Sequence, residues 1–175
     1  MLDPSYRDGA SPSYLLTTSD YIELNSQLVL TDLAWVRRLT AAGDPALNSR
    51  TESALDLIRG GFLPELRFED WGSSIQASIH AEIRQTLLPI AEQRHPGTRA
   101  TIAVRAAYAL VEMDPYDEKA QIALANALAA DGRRVAARES LSRFAARFRQ
   151  EMEEEPSASI RSALGALENR LSSSA

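Results

Sequence analysis

Apolar residues recur along this chain with the spacing of an α-helix, and this periodicity constrains the fold more than any other feature. Between residues 70 and 95 they stand at spacings of four, four, four and three: Ile75, Ile79, Ile83, Leu87 and Ile90. Because an α-helix turns by about 100° per residue, such spacings place all five on one face. The pattern predicts a long amphipathic helix, with a kink at Pro89 because proline has no N–H to donate.

The same period returns in six further segments that are separated by short breaks. Proline, glycine or aspartate marks the breaks at residues 43–45, 60–61, 96–97, 114–115 and 131–132. The first helix is predicted to start at Thr31, whose hydroxyl can cap it, and the second at Thr51. We therefore predict seven helices in series. Since their connections are short, they should form an all-α, antiparallel helical stack.

The residues before the first helix have a different character. Two short β-prone runs, 14–18 and 21–24, flank Ser19-Asp20 and predict a small hairpin. Residues 1–13 combine proline and glycine with polar residues and predict a loose arm. These patterns divide the chain into an N-terminal arm with the hairpin at 1–26, a helical domain at 27–171 and a disordered tail at 172–175.

Charge and composition exclude several classes of protein. The formal net charge is −5, whereas a domain that binds DNA by itself usually presents a clustered basic face. The chain has no cysteine, no apolar run long enough to span a membrane and no secretion signal at its start. We therefore predict a cytoplasmic protein that does not contact a membrane.

Two helix pairs repeat one another at an interval of 34 residues. The residues that correspond are Ile90 with Leu124, Ala91 with Ala125, Ala103 with Ala137 and Ala107 with Leu141. Small residues at such positions let the two helices of a unit touch. The pattern is similar to the tetratricopeptide repeat, in which helix pairs stack into a solenoid. An alanine-rich helical hairpin would reproduce part of it.

A wider resemblance extends from Tyr14 to Leu171. Seven features follow in order: Tyr21-Ile22-Glu23-Leu24, Thr31-Asp32-Leu33, residues 55–64, Asp70-Trp71, Asp114-Pro115, Ala130-Asp131-Gly132-Arg133 and Glu154-Glu155-Pro156-Ser157. In this order they resemble the bacterial transcriptional activator domain of the Streptomyces antibiotic regulatory protein type. The resemblance implies a regulatory domain of a transcriptional activator, built from tetratricopeptide-like helix pairs.

In regulators of this type, a winged helix-turn-helix precedes the domain and reads the major groove. Nothing before Tyr14 has the pattern of such helices, and the predicted hairpin could be the remnant of a wing. The chain is then expected to be a fragment of a longer regulator or a relative without the DNA-reading helices. We expect it to bind protein and not DNA. Candidate partners are a second copy of itself, a sensor or DNA-binding module, or the transcription machinery.

Motifs for catalysis and metal binding are missing from the sequence. His80-Ala81-Glu82 matches half of a zinc deaminase signature, but no cysteine is present to complete the metal site. Gly60-Gly61 lacks the lysine and hydroxyl residue of a phosphate-binding loop. We therefore predict that the chain is not an enzyme and uses no metal and no cofactor.

The helix predicted from Glu118 carries the best candidate for a binding surface. Lys119, Ile122 and Asn126 fall on an arc about 60° wide, separate from the core side that holds Ala120, Leu124, Ala127 and Leu128. The 34-residue interval adds three matching positions, Gln85, Leu88 and Glu92. In tetratricopeptide stacks the first helix of each unit lines a concave face where a peptide or helix docks. Alternatively, Ile122 packs on the neighbouring unit and Asn126 meets only water.

Other surface features have simpler interpretations. The arginines between residues 133 and 149 flank an apolar stripe on both sides, so we expect them to cover the edge of the core and not to form one basic ribbon. The acidic run 151–155 is interpreted as solvated. Trp71 is expected to anchor the linker before it. Two other functions stay open: a free-standing tetratricopeptide adaptor unrelated to transcription, and a small-molecule sensor with a pocket between helices.

Overall fold

The described part of the chain contains six α-helices whose bounds are known and one two-stranded hairpin. The computed structural model describes residues 14–17, 19–25, 31, 34, 37, 49–58, 70–93 and 98–172. The strands are β1 (Leu15–Thr17) and β2 (Ile22–Leu24), and the helices are α1 (Ser49–Leu55), α2 (Asp70–Glu92), α3 (Thr98–Met113), α4 (Glu118–Ala130), α5 (Arg134–Met152) and α6 (Ala158–Ser172). The prediction of a helical stack with an N-terminal hairpin is confirmed.

The hairpin pairs β1 with β2 in antiparallel fashion. Leu15 lies opposite Leu24 and Thr17 lies opposite Ile22. Strand β1 ends at Thr17 and β2 begins at Ile22, so the strands are further apart in the sequence than the predicted two-residue turn at Ser19-Asp20 requires. Tight two-residue hairpin turns need a positive φ, which neither serine nor aspartate adopts as readily as the Asn-Gly pair.

Helices α4 and α5 are joined by a turn that contains a glycine with positive φ. Gly132 has a φ of +84°, a conformation that costs little for a residue without a Cβ. Its N–H donates to the carbonyl of Ala129 at 3.2 Å, and the N–H of Arg133 donates to the carbonyl of Leu128 at 2.9 Å. These two bonds satisfy carbonyls at the end of α4 and stop the helix there.

The residues related by the 34-residue interval are equivalent in burial as well. Each is at most 2% exposed: Ile90, Ala91, Ala103, Ala107, Leu124, Ala125, Ala137 and Leu141. The alanines allow close helix contacts because they project only a methyl group. The aromatic residues of α5 add Phe144 and Phe148, whose ring centroids are 5.7 Å apart. The core therefore runs continuously from α2 to α6.

The packing order of the helices places α2, α4 and α6 on one side of the stack. Each helix from α2 onward packs against the next, α4 also packs against α2, and α6 contacts α4 more sparsely. Helices α3 and α5 are not in comparable contact. The stack therefore consists of the pairs α2–α3 and α4–α5, followed by α6. None of the described helices combines the length and the apolar character needed to cross a bilayer.

Two predicted features differ in the structure. Ile75 is 44% exposed, although the periodicity assigned it to the core. Helix α2 has 23 residues and its neighbour α3 only 16, so the first turns of α2 project past the helix that would cover them. Helix α1 ends at Leu55, earlier than the predicted stop at Gly60-Gly61. The carbonyl of Glu52 accepts from the N–H of Asp56 at 3.1 Å, and Arg105 of α3 also donates to it at 3.3 Å.

Part of the predicted first helix is also described. Ala34 and Arg37 are helical, and the N–H of Ala34 donates to the Thr31 hydroxyl at 3.1 Å, the cap that the sequence predicts. Several predicted features lie outside the described residues: the remainder of that helix with Trp35, the Gly60-Gly61 pair and the linker at 62–66, the side chain of Trp71, the Pro96-Gly97 break and residues 173–175.

Candidate protein-interaction groove

Helix α4 lies within the stack and is covered on every side but one. The predicted core residues of this helix are all buried: Ala120, Leu124, Ala127 and Leu128. Lys119 and Asn126 are exposed and Ile122 is half-buried. The arc that helical periodicity separates from the core is therefore the side of α4 that the neighbouring helices leave accessible.

This accessible side of α4 faces α6 across an open groove with a volume of about 520 Å³. Ile122 and Asn126 form its α4 wall. The α6 wall consists of small side chains and one leucine: Ala158, Ser159, Ser162, Ala163, Ala166 and Leu167. The lining thus contains no charged side chain and combines apolar surface with hydroxyl groups and one amide. Below, these eight residues are called the α4–α6 groove.

Hydrogen bonds hold the N-terminal end of α6 beside α4. Glu118 Oε1 accepts from the N–H of Ser157 at 2.9 Å, which joins the first turn of α4 to the residue before α6. The Ser157 hydroxyl accepts from the N–H of Ile160 at 3.4 Å, and Arg161 donates to the carbonyl of the buried Pro156 at 2.7 Å. Elsewhere α6 packs mainly on α5, so the groove stays open beyond this attachment.

The three candidate residues on α2 stand apart from the groove. Gln85 and Glu92 are exposed, and Leu88 is half-buried against the core. None of the three lines the groove, and neither does Lys119. The structure therefore brings Ile122 and Asn126 together with α6 and leaves the other four predicted residues outside this lining.

The α6 wall is the part of the groove that the sequence prediction missed. Ser159, Ser162, Ala163 and Ala166 recur at spacings that put them on one helical face. This run of small residues was a usable signal for a face without large core side chains. Which helix this small-residue face meets, however, depends on the angle at which α6 crosses α4 and α5. Local periodicity does not encode that angle.

An ion pair joins α2 to the start of α4 next to Lys119. Arg84 Nε lies 2.5 Å from Asp117 Oδ2, and Asp117 Oδ1 accepts from the N–H groups of Lys119 and Ala120 at 2.9 and 3.2 Å. Burial alone would raise the pKa of Asp117, but the hydrogen bonds from Arg84 and the two amides outweigh it and lower the pKa. The hydrogen bond to Asp117 raises the pKa of Arg84. The carboxylate is therefore held in its charged form.

Within the described part of the chain, His80 of α2 also has a shifted pKa. Burial lowers its pKa, and the negative charge of Asp114 opposes part of that change. Among the described residues, no three histidine, cysteine, aspartate or glutamate side chains converge in a way that could hold a metal ion. The polar groups of the groove lining are the hydroxyls of Ser159 and Ser162 and the amide of Asn126.

One comparison with known proteins assigns the chain to a family. The family model described as bacterial transcriptional activator domain matches residues 27–167. The chain belongs to this family. The comparisons with curated proteins and with solved structures each find no match. The matched range of the bacterial transcriptional activator domain includes α1 to α5, most of α6 and the whole lining of the α4–α6 groove.

Family membership confirms the resemblance inferred from the sequence. A bacterial transcriptional activator domain is a regulatory domain of transcription factors, so the chain takes part in transcription regulation. The hairpin at residues 15–24 precedes the matched range, which includes the helices of the stack except for the last five residues of α6.

Proposed function

We propose that this chain is a protein-interaction domain of a bacterial transcriptional activator, and that it binds a helix or peptide of a partner protein in the α4–α6 groove. The observation that carries the proposal is the uncharged lining of this groove between two helices that are otherwise well packed. Binding there would position an attached DNA-reading module relative to the partner.

The shape and chemistry of the groove suit a polypeptide segment. The methyl and hydroxymethyl groups of Ala158, Ser162 and Ala166 leave room for the backbone of an incoming helix to approach α6 closely. Ile122 supplies apolar surface on the opposite wall. Asn126 can both donate and accept hydrogen bonds, which suits the backbone or a polar side chain of a peptide.

DNA is a poor fit for the same surface. The groove lining contains no arginine or lysine, and the net charge of the whole chain is −5. Several arginines are already in ion pairs with carboxylates of the chain: Arg37, Arg84, Arg105, Arg133 and Arg149. Since phosphate contacts supply most of the affinity of non-specific DNA binding, we propose that DNA is not a ligand of this chain.

Family membership favours this function over a free-standing adaptor. The match to a family of transcriptional activator domains supports a partner in the transcription apparatus over a complex unrelated to transcription. The groove lining has no charged groups that converge on one point, so it offers little to orient a small metabolite. The partner is therefore proposed to be a protein, and the chain is proposed to lack enzyme activity.

Selection from a random peptide library against the purified chain tests the proposal. Peptides that bind the wild-type chain should bind the Ala166→Arg variant at least ten-fold more weakly, about 1.4 kcal/mol, because the arginine fills the groove. Thr101→Arg, at an exposed position of α3, adds the same side chain elsewhere and should leave the dissociation constant unchanged.

Two results would contradict the proposed function. In the first, the selected peptides bind Ala166→Arg as tightly as the wild type, which would place the binding surface elsewhere. In the second, the chain shifts duplex DNA at moderate salt and selects no peptide. Circular dichroism of each variant verifies that the helical content is retained, so a loss of binding is not mistaken for unfolding.

A further inference from the structure

Helices α4 and α6, which start at residues 118 and 158 and thus 40 residues apart, begin in the same way. The side chains of Asp117 and Ser157 each accept from the N–H three residues further on, at 3.2 and 3.4 Å. Four residues after each cap, a side chain donates to the carbonyl of a proline before the helix: Gln121 to Pro115 at 3.0 Å and Arg161 to Pro156 at 2.7 Å. Helix α6 therefore corresponds to α4 and is the first helix of a third unit.

One face of α4 is buried, and the corresponding face of α6 is open. On α4 this face consists of four residues that are each at most 4% exposed: Gln121, Leu124, Ala125 and Leu128. Their counterparts on α6 are less covered, since two are exposed and two are half-buried: Arg161 and Glu168, and Leu164 and Gly165. Helix α4 is followed by α5 and α6, whereas no described helix follows α6. Below, these four residues are called the open face of α6.

In the two complete units, a helix covers the corresponding face. The interval of 34 residues relates Leu87, Ile90 and Ala91 of α2 to the buried face of α4, and all three are at most 1% exposed. Helix α3 packs against α2, and α5 packs against α4. The burial that α6 lacks is thus the burial that a following helix gives to α2 and α4. An α-helix is therefore the element that fits this face.

Gly165 lies within the open face and is not required by packing among the described residues. It stands in the interior of α6, where glycine weakens a helix relative to alanine. A Cβ built on Gly165 would meet none of the described neighbours within 4 Å. A face that only closed the stack against water would need polar residues but no glycine. A glycine at this position does, however, let the backbone of another helix approach α6 closely.

We propose that the open face of α6 binds a helix of a partner protein, which takes the place of the second helix in the third unit. A short turn folds α5 back along α4, so the partner helix runs antiparallel to α6 in the same way. It presents a small apolar residue to Gly165 and Leu164. Arg161 and Glu168 are two helical turns apart. The partner helix therefore carries a basic residue opposite Glu168 and, two turns later, an acidic residue opposite Arg161.

This surface is distinct from the α4–α6 groove. Ala166 lines the groove, whereas none of the four residues of the open face does. The two surfaces take separate ligands, so the partner helix and the proposed function can fail independently.

A library of helical peptides tests the open face. The library is built on the sequence of α5, residues 134–152, and varies the positions that this helix buries in the fold: Ala137, Leu141, Phe144 and Ala145. Peptides selected against the full chain should bind the Gly165→Arg variant about ten-fold more weakly, because the arginine fills the place of the partner backbone. The groove variant Ala166→Arg adds the same side chain to the same helix and should leave the dissociation constant unchanged.

Gly165→Ala separates binding from structure. The free chain should unfold at a higher urea concentration, because alanine favours a helix. The selected peptides should nevertheless bind this variant about three-fold more weakly, since the methyl group keeps the two helices apart. A structural role of Gly165 alone would change the urea midpoint and leave the dissociation constant as it is. Circular dichroism of each variant verifies that the helical content is retained.

Four results would overturn the proposal. Selection yields no helical peptide, or the selected peptides bind Gly165→Arg as tightly as the wild type. The peptides lose affinity for Ala166→Arg and not for Gly165→Arg, in which case they bind in the groove and support the proposed function instead. The chain associates with itself and Gly165→Arg abolishes this association, in which case the occupant is a second copy and not a partner protein.

Discussion

Arg84 and Asp117 form an ion pair that connects the two helix pairs of this domain. Arg84 lies in the middle of α2, and Asp117 is the residue immediately before α4. Asp117 also accepts hydrogen bonds from the N–H groups of Lys119 and Ala120. One carboxylate therefore caps α4 through Oδ1 and joins that helix to α2, since Arg84 donates to both of its oxygens. The side chain of Asp117 is only 12% exposed, and that of Arg84 is 40% exposed.

Replacing Asp117 by alanine should lower the free energy of unfolding by about 2 kcal/mol. Loss of the cap accounts for about 1 kcal/mol, and the half-exposed ion pair with Arg84 adds up to about 1 kcal/mol. Asp117→Asn should cost less, because asparagine also caps helices well. Urea denaturation followed by circular dichroism measures both. Equal losses for the two variants would mean that the cap contributes little.

The stabilising effect of Asp117 should disappear at low pH. The pKa of Asp117 is lower in the folded chain than its ordinary value, so the folded state binds this proton less readily than the unfolded state. The contribution is therefore fully present above the ordinary aspartate pKa, about 3.9, and is lost as the pH falls through the lower folded value. The difference in urea midpoint between the wild type and Asp117→Asn should be constant from pH 7 to 5 and shrink below about pH 4. A difference that grows on acidification would contradict the lowered pKa.

Local patterns in the sequence predict the helices well because the start, the end and the apolar face of a helix depend on residues that are close together in the chain. The Thr31 cap, the Gly132 turn and the apolar stripe of α2 from Ile79 onward all follow from short-range spacing. Ile75 was assigned wrongly because its burial depends on the length of α3, a helix that covers only part of α2. Periodicity tells which face of a helix is apolar and not how far a neighbouring helix extends.

The candidate site was only partly predictable for a related reason. Ile122 and Asn126 were found because the rotation of about 100° per residue places them on a different side of α4 from its core residues. The α6 wall was missed because its position depends on a bond between Glu118 and Ser157, which are 39 residues apart in the chain. The ion pair between Arg84 and Asp117 was missed likewise, since charged residues at the surface have many candidate partners in the sequence.

Truncation of Ile122 should be much less harmful to stability than truncation of Leu124 on the same helix. Leu124 is 2% exposed, and Leu124→Ala should cost about 3 kcal/mol through lost burial and the cavity that remains. Ile122 is half-buried at the groove, so Ile122→Ala should cost about 1 kcal/mol. Thermal or urea unfolding of the two variants gives the comparison. Similar losses would show that Ile122 belongs to the core, which would leave Asn126 as the only exposed residue on that wall.

Replacing Glu153 by glycine should stabilise the domain. Glu153 ends α5 with a φ of 56° and a ψ of 23°, the left-handed conformation in which an L side chain crowds the backbone. Glycine adopts this conformation without that penalty, so Glu153→Gly should raise the free energy of unfolding by about 0.5–1 kcal/mol. Glu154→Gly is the matched control, since it removes the same charge at a position where φ is not positive. That variant should be unchanged or slightly less stable, and an equal gain at both positions would attribute the effect to reduced repulsion within the acidic run instead of to backbone strain.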